Sequence, residues 1–279
     1  MKIDIIPYAS ATRPELTNNK TVVVIDVLRA TSVMLTALVN GCKEVIPVMT
    51  PDEAIQKSLL YPPEEVVLGG ERNAEKIEGF HLGNSPLDYT RNAVENKTVI
   101  ITTTNGTKAL NSCLNAKYVY IGAFLNLNAL VEEIKNENEV VLFCSGTNNT
   151  FSLDDGMCAA AIINLLAKEK NLNLTDFAHL LLSVYKNDTN SGGTLLNKSY
   201  HLNLLKQKGY EKDVIFCLQN SLYDITPQMN LINKSIKQNP RKKLPCYSWL
   251  RSSVQLFLPN TLPLKRYSTA ITKSTMSKK

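Results

Sequence analysis

Five segments of the chain bring acids, cations, hydroxyls and glycines together at spacings that could do chemistry. In Val24-Ile25-Asp26-Val27-Leu28-Arg29-Ala30-Thr31-Ser32, an apolar run ends in an acid, then a guanidinium, then two hydroxyls able to open a helix. A carboxylate at Asp26 could bind a divalent cation or attack phosphorus. Arg29, Thr31 and Ser32, with helix N-terminal N–H groups, suit an oxyanion. The plainer alternative is a buried Asp26–Arg29 pair beside a helix cap. The segment lacks the glycines and lysine of a Walker A loop, and the second acid of a DxD phosphatase motif. Gly69-Gly70-Glu71-Arg72-Asn73 follows a second apolar run. Its glycines allow close backbone approach to a ligand. A tight turn accounts for them equally well, but not for the acid and the cation that follow.

Three further segments supply small polar groups. The loop Gly79-Phe80-His81-Leu82-Gly83-Asn84-Ser85-Pro86 could line a pocket with Asn84 and Ser85, or be an ordinary surface loop. Thr102-Thr103-Thr104-Asn105-Gly106-Thr107 runs from a strand into a helical stretch, which favours an anion cradle of small donors over the structural alternative, a strand of threonines with an Asn-Gly turn. Cys144-Ser145-Gly146-Thr147 ends another strand, and Asp154-Asp155 then begins a helix. These acids are either first-turn residues favoured by the helix dipole, or one of them, Asp155, completes an oxygen-ligand site with Asp26 and Glu71. Such a site suits Mg²⁺ or Mn²⁺. The histidines His81, His179 and His201 have no ligand spacing. His179, in the apolar stretch 177–184, is expected to be a packed core residue. No Ser–His–Asp or Cys–His signature is present.

The elements that must position these groups are legible as alternating patterns. Short apolar runs at 21–27, 45–49, 65–68, 98–103, 118–121 and 140–144 read as buried strands. Helical stretches lie between and after them at 32–40, 51–60, 106–114, 127–136 and 155–168. Thr50-Pro51-Asp52-Glu53 carries helix-start chemistry, and Asn126 or Asn128 could cap the fourth of these helices. Strands alternating with helices imply an α/β fold with a mixed or mostly parallel sheet. In such sheets ligands sit at the C-terminal strand ends, where four of the five segments fall.

Composition narrows the function classes. The chain has 279 residues, 44% hydrophobic and 20% charged, the values of an ordinary globular protein. No apolar run reaches the ~18 residues of a membrane span. The first residues do not read as a secretory signal, so a cytoplasmic location is expected. The six cysteines form no CxxC pair, and are expected to be buried thiols in a reducing compartment. The net charge of +6 is a property of the tail. Residues 231–279 hold eleven of the 31 basic side chains and none of the 25 acidic ones. Residues 1–230 therefore carry 20 basic against 25 acidic groups, and no nucleic-acid partner is expected for them. The tail is expected to be a poorly ordered, dispensable basic extension of a domain spanning 1–230.

The stretches VVIDVLRATS, GGERN, GFHLGNSP, TTTNGT and CSGT…FSLDD occur in an order that resembles the magnesium-dependent 2-phosphosulfolactate phosphatase (ComB) family. The resemblance covers about residues 1–229. It implies a three-layer α/β/α fold and hydrolysis of 2-phospho-3-sulfolactate to 3-sulfolactate and phosphate, a step towards coenzyme M. It also implies magnesium as cofactor. On that reading Asp26, Arg29, Glu71, Arg72 and Asp155 are catalytic. Thr31, Ser32, Asn84, Ser85, Thr103, Thr104, Asn105, Gly106, Thr107, Ser145 and Gly146 bind substrate. The expected partner is a small anionic phosphorylated molecule, with self-association left open. This chain departs from the family in having His81 where an Asp is usual, and Ala159-Ala160 where the family has Ala-Gly. The alternative from another class is a non-catalytic binding protein for a small phosphorylated or sulfonated acid.

Overall fold

Thr21-Val22-Val23-Val24-Ile25 is buried at every position because helices cover both faces of the strand it forms. The computed structural model describes residues 1–239. Its strands are β1 (Lys2–Ile6), β2 (Thr21–Ile25), β3 (Glu44–Pro47), β4 (Val66–Arg72), β5 (Glu75–Lys76), β6 (Thr98–Thr102), β7 (Tyr118–Gly122), β8 (Glu139–Cys144), β9 (Asn173–Leu174), β10 (Pro227–Met229) and β11 (Ile236–Gln238). The helices are α1 (Pro14–Thr17), α2 (Ala30–Val39), α3 (Pro51–Ser58), α4 (Arg91–Val94), α5 (Gly106–Asn111), α6 (Leu127–Ile134), α7 (Leu153–Leu166), α8 (Asp176–Asn190), α9 (Tyr200–Gln207) and α10 (Glu211–Cys217).

All the strands join one mixed sheet in the order β5-β4-β6-β3-β11-β10-β7-β2-β8-β1-β9. Two parallel blocks, β4-β6-β3 and β7-β2-β8-β1-β9, are joined through the antiparallel hairpin β10-β11. The fold is α/β with a large, mostly parallel sheet flanked by helices, as the sequence pattern requires. Side chains alternate across it with the strand period of two. Val23 and Ile25 pack in one cluster with α6, α7 and α8, while Val22 and Val24 pack in another with α2 and α5. That second cluster also takes Val45, Val67, Val99 and Ile101 from the other block. Ile46, Leu68 and Ile100 face the opposite way, towards Ala54 of α3.

Local chemistry sets several element ends. Thr50 caps α3 by accepting from the Glu53 N–H at 3.1 Å, with Pro51 at the first helical position. Asn126 sits at the start of α6. Its amide accepts from the Ala123 N–H and donates to the Ile121 and Ile225 carbonyls, so it ties the β7 exit to the segment entering β10. The five described cysteines are free and buried, as expected. No helix among the described residues is long and apolar enough to cross a membrane.

Two expectations are corrected. His179 is exposed on α8: the apolar stretch around it turns Ala178, Leu181 and Leu182 inward and leaves the histidine outside. The sheet also runs past residue 230. Ile236 of β11 is fully buried and pairs with Val45 of β3, while Met229 of β10 pairs back to Ile236. A three-residue strand between lysines carries too little pattern to be seen in sequence. The remainder of the expected tail, from residue 240, lies outside the described residues.

Because β11 joins the two parallel blocks, Ile236→Ala is expected to cost about 2–4 kcal/mol, the range of a buried large-to-small change. In thermal melts, a chain ending after Asn230 should fall well below one ending after Asn239. Equal melting temperatures would remove β11 from the folded core.

Candidate active site

A cavity of about 240 Å³ opens where the ends of β2, β4 and β6 meet the loops before α2 and α5. Seven of the residues singled out in the sequence line it: Asp26, Arg29, Glu71, Asn84, Thr103, Thr104 and Asn105. Asn73, Thr147, Asn148, His201 and Lys208 join them, with Leu204 and Leu205 as apolar wall.

Asp26 sits one residue past β2 and is 7% exposed. Its Oδ1 accepts from the Ala30 N–H at 3.0 Å, at the first residue of α2. Thr31 holds the same turn from below, its Oγ1 lying 2.8 Å from the Asp26 carbonyl and 3.1 Å from the Asp26 nitrogen. The other oxygen, Oδ2, faces the start of α5. A Cβ added to Gly106 would stand 2.7 Å from that oxygen and 2.6 Å from the Ala30 Cβ, so only glycine lets α5 begin here. Burial is the largest influence on this carboxyl. Opposed by the Ala30 N–H and reinforced by the charges of Asp154 and Glu71, it raises the Asp26 pKa from 3.8 to about 7.

Two further acids act as staples. Glu71 accepts from the Thr104 N–H and from the Ala74 N–H, each at 2.8 Å, joining the ends of β4 and β6. Asp155 accepts from the Val27 N–H at 2.9 Å and the Gly146 N–H at 3.0 Å, joining the ends of β2 and β8. Burial, followed by the charges of Asp154 and Asp26, pushes the Asp155 carboxyl well above its ordinary pKa, against those two donors.

Arg29 is 2% exposed and does not pair with Asp26. It donates to Asp213 Oδ2 at 2.5 Å and to the Ala74 carbonyl at 3.2 Å, and its guanidinium lies 4.0 Å from the centre of the Tyr210 ring. Asp213 takes a second bond from the Ser85 hydroxyl at 2.8 Å. Nothing in the spacing of the sequence marks Asp213, since it lies 184 residues from its partner.

Several predicted site residues serve the walls rather than the cavity. Arg72 donates to the Glu71 and Met49 carbonyls and to Thr102 Oγ1. Ser32 donates to the Val27 carbonyl, and Thr107 exchanges bonds with Thr103 across the first turn of α5. The Ser145 nitrogen donates to the Ile25 carbonyl. Gly146 has φ +70 and fits against Tyr8, where a Cβ would stand 2.5 Å away. Thr31, Ser32, Arg72, Ser85, Gly106, Thr107, Ser145, Gly146 and Asp155 are not among the cavity-lining residues. The Asp26–Glu71–Asp155 ligand set is therefore not assembled as expected. Among the described residues, no three His, Cys, Asp or Glu side chains stand where they could hold a metal ion together.

His81 lies outside the cavity lining. Its Nδ1 accepts from the Leu68 N–H at 2.9 Å, fixing the loop against β4.

Strand ends and helix starts of the sheet converge on one small, polar cavity, the place where an α/β enzyme built on an open sheet takes its ligand. The 2-phosphosulpholactate phosphatase family model matches residues 7–231. A probable 2-phosphosulfolactate phosphatase of Clostridium novyi (strain NT) is 43% identical over 231 residues, covering 82% of this chain and 97% of the relative. Its counterpart in Clostridium perfringens (strain SM101) is 46% identical over 228 residues, 81% of this chain and 92% of the relative. That of Clostridium botulinum (strain Alaska E43) is 41% identical over 232 residues, 81% and 96%. The chain belongs to the 2-phosphosulfolactate phosphatase family.

Two outcomes follow from the site geometry. Folding raises the Asp26 pKa, so between pH 3.8 and about 7 the folded chain holds a proton that the unfolded chain has released. Without divalent cations this contribution to stability is complete below the lower value and is lost as pH rises through the upper one. It amounts to about 4 kcal/mol. Urea unfolding of the wild type and Asp26→Asn in chelator should show their stability difference changing across this window, and a constant difference would contradict the raised pKa. For His81, aspartate can replace the acceptor for Leu68 and leucine cannot. His81→Asp should keep stability, whereas His81→Leu should lose about 1–3 kcal/mol for the orphaned N–H.

Proposed function

We propose that this chain is a magnesium-dependent phosphatase that hydrolyses 2-phospho-3-sulfolactate to 3-sulfolactate and phosphate, in the cytosol, as a step towards coenzyme M or in related sulfonate metabolism. The observation that carries the reading is the Asp26 carboxylate, held at the start of α2 with its second oxygen at the start of α5, inside a cavity that also presents Arg29 and Asn84. The names of the relatives supply the substrate. Five buried free thiols favour a reducing compartment.

The residues fit a magnesium ion held in its usual way, by one or two carboxylates with water and substrate oxygens completing the shell. Asp26 and Glu71 both line the cavity and are the carboxylates that would hold it. Bound there, the ion would neutralise phosphoryl oxygens and lower the pKa of a bound water. The substrate carries phosphate, carboxylate and sulfonate on three adjoining carbons. Arg29 is presented rigidly, because Asp213, Ala74 and Tyr210 hold it in place, and so loses little side-chain freedom on binding. The Asn84 amide is buried with its oxygen unpartnered, and Thr103, Thr104 and Asn105 add small donors at the start of α5. Phosphoryl transfer needs mainly positioning and charge neutralisation, and these groups are placed for both.

Phosphate release from 2-phospho-3-sulfolactate should require Mg²⁺ and stop in EDTA. Asp26→Asn should lower kcat by about 10²-fold or more while circular dichroism and urea unfolding report an intact fold. Undiminished turnover in EDTA would end the metal role. Tight substrate binding with no phosphate release in Mg²⁺ would favour the non-catalytic reading.

A further inference from the structure

His201 was not marked by any sequence motif, yet it lines the cavity from α9. Behind it lies a carboxylate whose bonding is half complete. Asp154 is 1% exposed and sits in the first turn of α7. Its Oδ1 accepts from the hydroxyls of Ser152 at 3.2 Å and Ser199 at 3.0 Å. Its Oδ2 is buried and has no hydrogen-bond partner, and the His201 Nδ1 stands 3.8 Å from it. A buried carboxylate oxygen without a protein donor is an uncommon feature of a folded core. A shortening of less than one ångström would complete the bond to Nδ1. Ser199 also caps α9 by accepting from the Leu202 N–H at 3.2 Å, so the hydroxyl that holds Asp154 also fixes the helix that carries His201.

We propose that His201 is the proton donor to the leaving oxygen of the substrate, with Asp154 as its positioning residue. This deepens the phosphatase reading and rests on it. With Nδ1 towards Asp154, Nε2 is the nitrogen left for the cavity. The leaving group is the oxygen on carbon 2 of a hydroxy acid, an alkoxide unless it is protonated as it departs. Of the other ionisable groups of the cavity, Asp26 is a carboxylate assigned to the ion, and the remaining three are held by other partners. Arg29 is bound to Asp213 and to the Ala74 carbonyl. Lys208 donates to the Asn73 carbonyl and to Glu75. Glu71 has both oxygens on backbone N–H groups. The His201 imidazole, with Asp154 on the side of one nitrogen and the cavity on the side of the other, is a group of the type that serves as a general acid.

The step balances. Water forms the new bond to phosphorus as the bond from phosphorus to the carbon-2 oxygen breaks. The electron pair of that bond stays on the oxygen, which takes the Nε2 proton and leaves as a hydroxyl. The neutral imidazole regains a proton from the phosphate product. The charged groups around His201 are Asp154 from α7, Lys208 beyond the end of its own helix, and Asp26, Glu71 and Arg29 across the shared cavity.

The test is steady-state hydrolysis of 2-phospho-3-sulfolactate in Mg²⁺, from about pH 5 to 9, by wild type, His201→Gln and Asp154→Asn. His201→Gln should lower kcat by ~10²–10⁴ with KM within a few-fold, and should abolish the alkaline limb of the kcat profile. Asp154→Asn should move that limb to lower pH. If Asp154→Asn does not fold, His201→Gln decides alone, because its side chain is partly exposed and no described hydrogen bond depends on it. A raised KM with unchanged kcat would make His201 an anion clamp and overturn the proposal, as would wild-type turnover in His201→Gln. A wild type that releases no phosphate would instead remove the phosphatase reading, and this assignment with it.

Discussion

A buried carboxylate must find donors, and in this molecule the donors are chiefly backbone N–H groups at the ends of strands. Glu71 takes two from the β4 and β6 ends, and Asp155 takes two from the β2 and β8 ends. Asp26 takes one from the start of α2. Each bond removes part of the cost of burying charge, and each also fixes a loop that borders the cavity. Site and scaffold are therefore held by the same interactions. A neutral substitution at Asp155 would loosen two strand ends even though its side chain does not line the cavity.

The charge balance follows from this arrangement. Asp26, Glu71, Asp154, Asp155 and Asp213 are all buried near one buried cation, Arg29. The excess of negative charge contributes to the raised Asp26 pKa. Left alone it would also oppose an anionic substrate. A proton on Asp26 relieves part of it, and a divalent cation would relieve more while adding attraction for phosphate. Arg29 cannot do this unaided, because Asp213 already neutralises it. Asp213 instead holds the guanidinium at the cavity wall.

Much of the fold was legible in sequence because its central strands are continuous β-branched runs that only a two-sided burial explains. The five polar segments were legible for a related reason. Four of them follow such a run at its C-terminal end, and the sheet brings those ends together. What could not be read were pairings between distant segments. Arg29 adjoins Asp26 in sequence but reaches Asp213, and Arg72 adjoins Glu71 but turns to backbone carbonyls outside the cavity. His201 comes from α9 and Lys208 from the residue just after it, where the sequence shows no strand-end pattern. Asp155 has the right type and place for a ligand, and only its two backbone partners reveal a staple. The short strands β10 and β11 carry three residues each, too few for a period.

Those two short strands nonetheless govern the site. The acids come from both halves of the sheet: Asp26 and Asp155 belong to the β7-β2-β8 block, and Glu71 and the α5 start belong to the β4-β6 block. Within the sheet of the described residues, the strands of the two blocks are joined through β10 and β11 alone. The clearance between Asp26 Oδ2 and the Gly106 Cα region is too small for a single methyl group, so the blocks must be aligned to a fraction of an ångström. The shared cluster around α2 and α5 supplies the attraction between them, but apolar packing is non-directional. The direction comes from the hairpin, whose Ile236 fixes β3 and whose Gln228 pairs with Tyr120 of β7. A cavity built on paired acids from two blocks thus depends on a strand junction that takes no part in its chemistry.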